Sequence, residues 1–266
     1  MRMRWSKTRI GVAAIAVLGG VYGTAVALAG NPPMMTADTG AKLKVVTPRT
    51  GTTLTGNALS TGVSITHFKV DCRFAGTANR KGIGHYHIEL DKSLINMFCA
   101  PRGSISMLDV KPGKHTVQFI PAANDHADDL KAEKQITFTY KPSRPLPAAK
   151  PLSFPGKPSV RIVSPKPGST VHRGFDFVVA AKNFRLSCAL YGKGRVKGYG
   201  HWHANVDSTS KGMMGMGTML GMSCARSFHV SLVGIKPGRH TFFAILEDNK
   251  HVPSIGAQAS VSLNVK

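Results

Sequence analysis

Acidic side chains are scarce in this chain of 266 residues, which holds 13 Asp and Glu against 35 Lys and Arg. Chemistry that needs two paired carboxylates has few candidates. The nearest pair, Glu89 and Asp91, is not repeated in the second half of the chain, where Asn205 replaces the glutamate. The chain also lacks the motifs of serine hydrolases, zinc peptidases and phosphate-binding loops. We therefore expect that the protein is not an enzyme.

Basic and aromatic side chains are not interleaved anywhere in the chain, so specific nucleic-acid binding is not expected. The net charge is nevertheless +22, and it remains +18 without the four basic residues of the N-terminal segment. Such a charge predicts attraction to an anionic envelope surface or to an acidic protein partner.

Only one apolar run is long enough to span a bilayer. It covers residues 10–29, follows a basic segment and ends in Ala-Leu-Ala. This layout is typical of a secretory signal peptide, so residues 1–29 are predicted to be a cleaved signal or an N-terminal anchor. Membrane attachment is expected only if this segment stays uncleaved. We expect the protein to be exported and to be extracellular, cell-wall-associated or periplasmic.

A duplicated frame of cysteines and histidines organises the rest of the chain. The segment GIGHYHIELD at 82–91 has a counterpart, GYGHWHANVD, at 198–207. All four cysteines and eight of the eleven histidines recur at matching spacings, which indicates two copies of one folding unit. The matched pairs are Cys72 and Cys188, His85 and His201, His87 and His203, Cys99 and Cys224, His115 and His240, and His126 and His251.

Both copies predict an all-β fold. Short β-branched or alternating runs are separated by Gly, Pro and Asn turns, and no stretch has a sustained helical period. About seven strands in about 100 residues indicate an immunoglobulin-like β-sandwich. The predicted organisation is a signal or anchor at 1–29, a flexible leader at 30–42, sandwich repeat 1 at 43–141, a Pro-rich linker at 142–158 and sandwich repeat 2 at 159–266.

The strand order of such a sandwich predicts where the duplicated residues lie. Strand B would end at Cys72, strand C would start at His85, strand E would follow Cys99 and strand F would start at His115. Because strands alternate in direction, both cysteines, the paired histidines and the loop histidine His126 should meet at one end. The alternation of side chains puts the paired histidines on the outer face of strand C. His115 should lie at the opposite end, near the end of strand C.

The pattern G-x-G-H-x-H…D, followed by P-G-x-H-T and then an Asn/Asp-His loop, resembles that of a family of secreted bacterial β-sandwich domains of poorly defined function. The matching segments are GIGHYHIELD, KPGKHT and NDH in repeat 1, and GYGHWHANVD, KPGRHT and NKH in repeat 2. The resemblance covers most of each repeat. It implies an exported immunoglobulin-like sandwich with functional histidines. The cysteine pair and a methionine-rich loop are additions to that pattern.

The clustered histidines predict a metal site in each repeat. Two imidazoles at i and i+2 on one strand face, joined by a loop histidine, offer three nitrogens that suit copper or zinc. The alternative is a structural role, in which hydrogen bonds to Asp91, Asn124 or the backbone hold these side chains. The predicted ligands are His85, His87 and His126 in repeat 1, and His201, His203 and His251 in repeat 2.

A methionine-rich segment of repeat 2, KGMMGMGTMLGMSC, favours copper over zinc because thioethers select Cu(I). The alternative is an adaptable hydrophobic surface, which would serve for docking. The methionines predicted to help hold or pass Cu(I) are Met213, Met214, Met216, Met219 and Met222.

The four cysteines predict two disulfides, Cys72–Cys99 and Cys188–Cys224. Their number is even, export implies an oxidising compartment, and both members of each pair are predicted at one end of a sandwich. A bridge that closes a loop of this length stabilises the fold by about 3 kcal/mol in the chain-entropy model. Thiolate ligation of copper is the alternative.

Two functions agree with these observations. The first is an exported cell-envelope protein that binds copper, or alternatively zinc, with one histidine cluster per repeat. The second is a non-enzymatic structural or adhesive envelope module, basic and stabilised by disulfides, which could be accessory to a larger complex.

Overall fold

The computed structural model describes residues 36–266. The predicted signal or anchor at 1–29 and the first part of the predicted leader lie outside the described residues, as do the side chains of Met213 and Met214. Among the described residues, no helix is long enough and apolar enough to cross a membrane.

Repeat 1 forms two sheets that face each other, and most of their neighbouring strands are antiparallel. The first sheet has the strand order β1-β3-β7, and the second has the order β2-β9-β8-β5-β4, with β6 paired to the free side of β5. Its strands are β1 (Lys42–Thr47), β2 (Thr53–Leu54), β3 (Ala58–Thr66), β4 (Lys69–Val70), β5 (Ile83–Leu90), β6 (Ser93–Phe98), β7 (Arg102–Ser106), β8 (Gly113–Ala122) and β9 (Lys134–Tyr140).

Repeat 2 has the same topology. One sheet has the order β10-β12-β16, and the other has the order β11-β18-β17-β14-β13, with β15 paired to β14. Its strands are β10 (Ser159–Ser164), β11 (Thr170–Val171), β12 (Gly174–Lys182), β13 (Arg185–Leu186), β14 (Tyr199–Val206), β15 (Met219–Ser223), β16 (Ser227–Ser231), β17 (Gly238–Asp248) and β18 (Pro253–Val265).

The core of each sandwich follows from the alternation of side chains along its strands. In β5, Tyr86, Ile88 and Leu90 point inward and are buried. In β14, Trp202 takes the place of Tyr86, packs edge-on against Phe177 at 5.6 Å and is fully buried. The predicted all-β, immunoglobulin-like sandwich is confirmed, and the histidines that alternate with these core residues are left for the outer face.

The end of strand B was predicted wrongly. The strand β3 ends at Thr66 rather than at Cys72, because His67 adopts a positive φ of 61° that an extended strand does not allow. After the two-residue strand β4, Cys72 instead begins a short 3-10 turn. The carboxylate of Asp71 caps this turn by accepting a hydrogen bond from the backbone N–H of Arg73.

Strands β6 and β15 are additional to the predicted set. In repeat 1, Leu90 pairs with Ser93, so that only Asp91 and Lys92 form the turn into β6. Both residues have positive φ, at 51° and 65°, which is the geometry of a type I′ hairpin. The extra strand widens the sheet that carries the histidines, and β15 does the same in repeat 2 after a longer connection.

Candidate metal centre

Three imidazoles of repeat 1 meet at the end of its wider sheet. His85 and His87 project from the outer face of β5, and His126 projects from the loop after β8. The Nε2 atom of His85 lies 3.1 Å from Nε2 of His87 and 3.0 Å from Nδ1 of His126. The third edge of the triangle, between His87 Nε2 and His126 Nδ1, is 3.4 Å. All three side chains are buried.

Repeat 2 builds the same triangle from equivalent residues. The Nε2 atom of His201 lies 2.9 Å from Nε2 of His203 and 3.0 Å from Nδ1 of His251. The distance from His203 Nε2 to His251 Nδ1 is 3.4 Å. These three side chains are also buried. The structure therefore brings together all six histidines that the sequence proposed as ligands, in two groups of three.

The spacing of the ring nitrogens fits a tetrahedral metal ion. A zinc–nitrogen bond is about 2.0–2.1 Å long, so two nitrogens on one tetrahedral ion lie about 3.3–3.4 Å apart. The edges of both triangles, 2.9 to 3.4 Å, are close to that separation. Both triads could therefore hold a metal ion.

In repeat 1, the outward ring nitrogens of His87 and His126 have acceptors that fix the tautomer, whereas the outward Nδ1 of His85 is buried without a partner among the described residues. Nδ1 of His87 donates a hydrogen bond to Asp128 Oδ1 at 2.7 Å, and Nε2 of His126 donates to the carbonyl oxygen of Met219 at 2.8 Å. Each ring carries its hydrogen on that side, so its inward nitrogen presents a lone pair. Metal-binding histidines are usually held in this way, by a carboxylate or a backbone carbonyl.

In repeat 2, one of these two supports is weaker. Nε2 of His251 donates to the carbonyl oxygen of Leu94 at 2.9 Å, which matches the first repeat. Nδ1 of His203 lies 3.8 Å from Glu247 Oε1, beyond hydrogen-bond length. The ring of Tyr191 packs edge-on against His201 with 4.5 Å between the ring centroids. The two triads therefore share their histidines but not their surroundings.

Burial keeps most of these imidazoles neutral. Loss of hydration lowers the pKa of His126 to about 3 and the pKa of His251 to about 4. The same cause, with a smaller effect from neighbouring imidazoles, places the pKa values of His85, His201 and His203 well below the usual range. A histidine must be neutral to bind a metal, so these five are ready to bind at physiological pH.

The loop histidines adopt a backbone conformation that is costly for a residue with a side chain. His126 has a φ of 63° and His251 a φ of 57°. The left-handed region costs a non-glycine residue about 1–2 kcal/mol. In both loops the asparagine two residues before the histidine, Asn124 or Asn249, is buried. Its backbone carbonyl accepts a hydrogen bond from the N–H of a glycine. The same strained turn therefore occurs beside the histidine triad of each repeat.

The remaining duplicated residues lie where they stabilise the fold. The disulfides Cys72–Cys99 and Cys188–Cys224 are both formed, so the alternative of thiolate ligation is wrong. His115 is at the opposite end of repeat 1, where its Nδ1 lies 2.7 Å from Asp91 Oδ2, and His240 pairs in the same way with an aspartate of repeat 2.

The described methionine side chains of the repeat 2 segment pack in an apolar cluster. Met216 and Met219 are buried in an apolar cluster with Ala75 and Met97 of repeat 1. Met222 is partly buried against the same cluster. The side chains of the first two methionines of the segment are outside the described residues. Packing between the repeats therefore accounts for the two buried methionines.

Sequence reasoning missed three side chains that surround the triads. Asp128 is two residues beyond His126, and this proximity was an available signal. Glu247 occupies the position of Ala122 in the other repeat, and Tyr191 occupies the position of an alanine, so the comparison of repeats gave no support for either. The carbonyl groups that hold the loop histidines have no signature in the sequence.

The fold and the site define a class: a tandem β-sandwich protein with a buried histidine triad in each repeat. No protein-family model matches the chain, and no curated protein matches it. The fibronectin(III)-like modules of CbhA from Clostridium thermocellum align over 84% of this chain and 94% of theirs, with 13% identity and a TM-score of 0.26.

Two further solved structures give similar values. A tetra-tandem repeat from the extending region of a large adhesion protein covers 85% of this chain and 49% of that chain, with 9% identity and a TM-score of 0.25. The FN1–FN3 domains of chicken CNTN1 cover 83% of this chain and 63% of theirs, with 11% identity and a TM-score of 0.23. At these scores the likeness carries no argument about function.

Proposed function

We propose that this protein is an exported, non-enzymatic metal-binding protein of the cell envelope, which holds copper in a histidine triad of each repeat. The observation that carries the proposal is the pair of triangles of inward ring nitrogens, with edges of 2.9 to 3.4 Å. Three clustered imidazole nitrogens suit Cu(I), Cu(II) or Zn(II).

Thioethers near the triads support copper over zinc. Met97 lies directly opposite His87 in the pairing of β5 with β6, and Met222 lies opposite His203 in the pairing of β14 with β15. Residues that face each other across an antiparallel pair project from the same side of the sheet. Both methionines also line one cavity of about 360 Å³. Soft sulfur donors beside imidazoles favour Cu(I), with zinc as the alternative ion.

Export is the second part of the proposal. The N-terminal segment has the layout of a signal peptide, and two disulfides suit an oxidising compartment. In this setting the protein would buffer or hand over metal ions rather than transform a substrate. We base the non-enzymatic role on the scarcity of acidic residues and on the absence of hydrolase motifs from the sequence.

The test is a metal titration of the purified mature protein beside a variant with all six triad histidines changed to Ala. We expect the native protein to bind Cu(I) or Cu(II) and to gain thermal stability, because an ion that binds only the folded state raises the melting temperature. His172→Ala is the matched control, since this histidine is exposed and does not line the cavity of the two methionines. Equal copper binding by the native protein and the six-histidine variant would refute the proposal.

A second candidate function is a structural or adhesive envelope module, which the large positive charge favours. The sequence without its N-terminal segment carries a net charge of +18, which would bind anionic wall polymers, lipid headgroups or an acidic partner. Extraction of the protein from cell envelopes by high salt would support this role, because salt screens such attraction. Release into low-salt medium would count against it.

A further inference from the structure

Each loop histidine is anchored by the opposite repeat. His126 of repeat 1 donates to the carbonyl oxygen of Met219 in β15, and His251 of repeat 2 donates to the carbonyl oxygen of Leu94 in β6. Met219 pairs with Asn205 of β14, and Leu94 pairs with Glu89 of β5. Because Glu89 and Asn205 are matching residues of the two repeats, Met219 and Leu94 hold equivalent positions. The contact between the repeats is therefore reciprocal.

Two glycines allow this close approach. A Cβ atom added at Gly76 would lie 2.7 Å from the carbonyl oxygen of Met219, and one added at Gly192 would overlap the carbonyl oxygen of Leu94. Both glycines have a positive φ, at 72° and 64°. Gly40 has a similar φ of 69° but nothing within 4 Å of an added Cβ. The duplicated glycines thus admit the same two carbonyl groups that hold the loop histidines.

The strands that supply the carbonyls also border the triads of their own repeats. Strand β15 pairs with β14, which carries His203, and strand β6 pairs with β5, which carries His87. The apolar cluster of methionines packs between these elements, and Lys250 Nζ donates to Ser93 Oγ at 2.9 Å beside them. A shift of either strand would therefore disturb a ligand in its own repeat and a hydrogen-bond acceptor of the other repeat.

We propose that the two triads form one coupled metal centre, in which an ion bound at either triad tightens the contact between the repeats and strengthens binding at the other. This inference rests on the proposed metal-binding function. The ion holds one nitrogen of the loop histidine while the carbonyl of the other repeat holds the second. Loss of such an outer partner typically weakens metal binding about 10–100-fold. Coupling between sites is reciprocal, so each site must strengthen the other by the same factor.

The first experiment compares His251→Ala with His201→Ala in the full chain, titrated with Cu(I) against a competing chelator. Both variants lose a ligand of the repeat 2 triad, but only His251→Ala also loses the hydrogen bond to repeat 1. We expect the remaining triad to bind Cu(I) at least about fivefold more weakly in His251→Ala than in His201→Ala, because coupling between two sites typically changes affinity about 5–150-fold. Equal affinity in the two variants would overturn the coupling.

The second experiment keeps all six histidines and disturbs only the contact. Gly76→Ala should displace the carbonyl of Met219 and weaken Cu(I) binding at both triads, whereas Gly40→Ala, with a similar φ and open space, should leave both unchanged. Far-ultraviolet circular dichroism of the metal-free variants establishes that they are folded. Unchanged affinities in folded Gly76→Ala would refute the coupling and leave the proposed function intact. A native chain that binds no Cu(I) would refute the proposed function itself.

Discussion

The two repeats have the same three histidines but different groups behind them. In repeat 1, His87 donates to Asp128 at 2.7 Å; in repeat 2, the corresponding His203 is 3.8 Å from Glu247. Burial, with a smaller effect of Asp248, raises the pKa of Glu247 to about 8, so this carboxyl is largely neutral at pH 7. A carboxylate behind an imidazole raises its basicity. The difference shows that duplicated histidines can have unequal surroundings, and it predicts two sites of unequal affinity.

The largest effect on metal binding is expected from substitutions that remove one of the two sites. His87→Ala should remove the repeat 1 site and leave one ion per chain, bound by the site without a close carboxylate. His203→Ala should remove the repeat 2 site and leave the tighter one. A competition titration with a chelator measures both affinities. If the ion left in His87→Ala were bound more tightly than the ion left in His203→Ala, the ranking of the sites would be reversed.

Acid should destabilise the metal-free protein strongly. Five of the six triad histidines have folded-state pKa values below the unfolded value of about 6.5, reaching about 3 for His126 and about 4 for His251. The unfolded chain therefore takes up protons first as the pH falls. Their contribution is complete above about pH 6.5 and is lost between there and about pH 3, at up to about 1.4 kcal/mol per histidine and pH unit. Denaturant unfolding at several pH values measures this.

Glu247 acts in the opposite direction. Its raised folded-state pKa means that its contribution is lost as the pH rises from about 4.5 through 8. Glu247 is a single group, whereas five histidines act in the other direction. The free energy of unfolding should therefore still fall as the pH drops below 6.5. Glu247→Gln provides the control, because it removes this opposing contribution and leaves the histidines in place. A metal-free protein equally stable at pH 7 and pH 4.5 would contradict the burial of neutral imidazoles.

A matched pair of substitutions tests the carboxylates directly. Asp128→Asn should weaken metal binding at the repeat 1 triad about 10–100-fold, because it removes the negative acceptor behind His87. Glu247→Gln should change the repeat 2 triad by no more than a few-fold, since that carboxyl is not hydrogen-bonded to His203 and is largely neutral. Equal effects of the two substitutions would show that the carboxylates do not distinguish the sites.

The smallest expected effect concerns Tyr191, which replaces Ala75 of repeat 1. Its hydroxyl is buried and has no hydrogen-bond partner among the described residues. Tyr191→Phe should therefore change the free energy of unfolding by less than about 1 kcal/mol, or stabilise the fold slightly. Tyr191→Ala, which also removes the ring against His201, is the comparison. A large loss of stability in Tyr191→Phe would mean that the hydroxyl has a partner of its own.

The sequence predicted the sandwich and the position of the triads, because both follow from simple periodicities. Alternation along strand C put His85 and His87 on one face, and the strand order brought the loop of His126 to the same end. The extra strand β6 was missed because its tight turn uses Asp91 and Lys92, neither of which is a glycine or an asparagine.

Contacts between the repeats were beyond sequence reasoning for a different reason. The acceptors of the loop histidines are the backbone carbonyls of Leu94 and Met219, and any residue supplies a carbonyl. The duplicated Gly76 and Gly192 lie at this contact, but a glycine in a sequence does not reveal which group packs against it. The burial of Met219 in an apolar cluster with Ala75 and Met97 of the other repeat also has no signature in the sequence.

The most direct measurement is elemental analysis of the exported protein, purified without chelators or a histidine tag. We predict up to two equivalents of copper, or alternatively zinc, per chain, falling to one when His85 and His87 are changed to Ala. The further change of His201 and His203 to Ala should remove the rest. A native protein with its four cysteines oxidised that holds no metal after reconstitution would contradict the account and favour the structural envelope module.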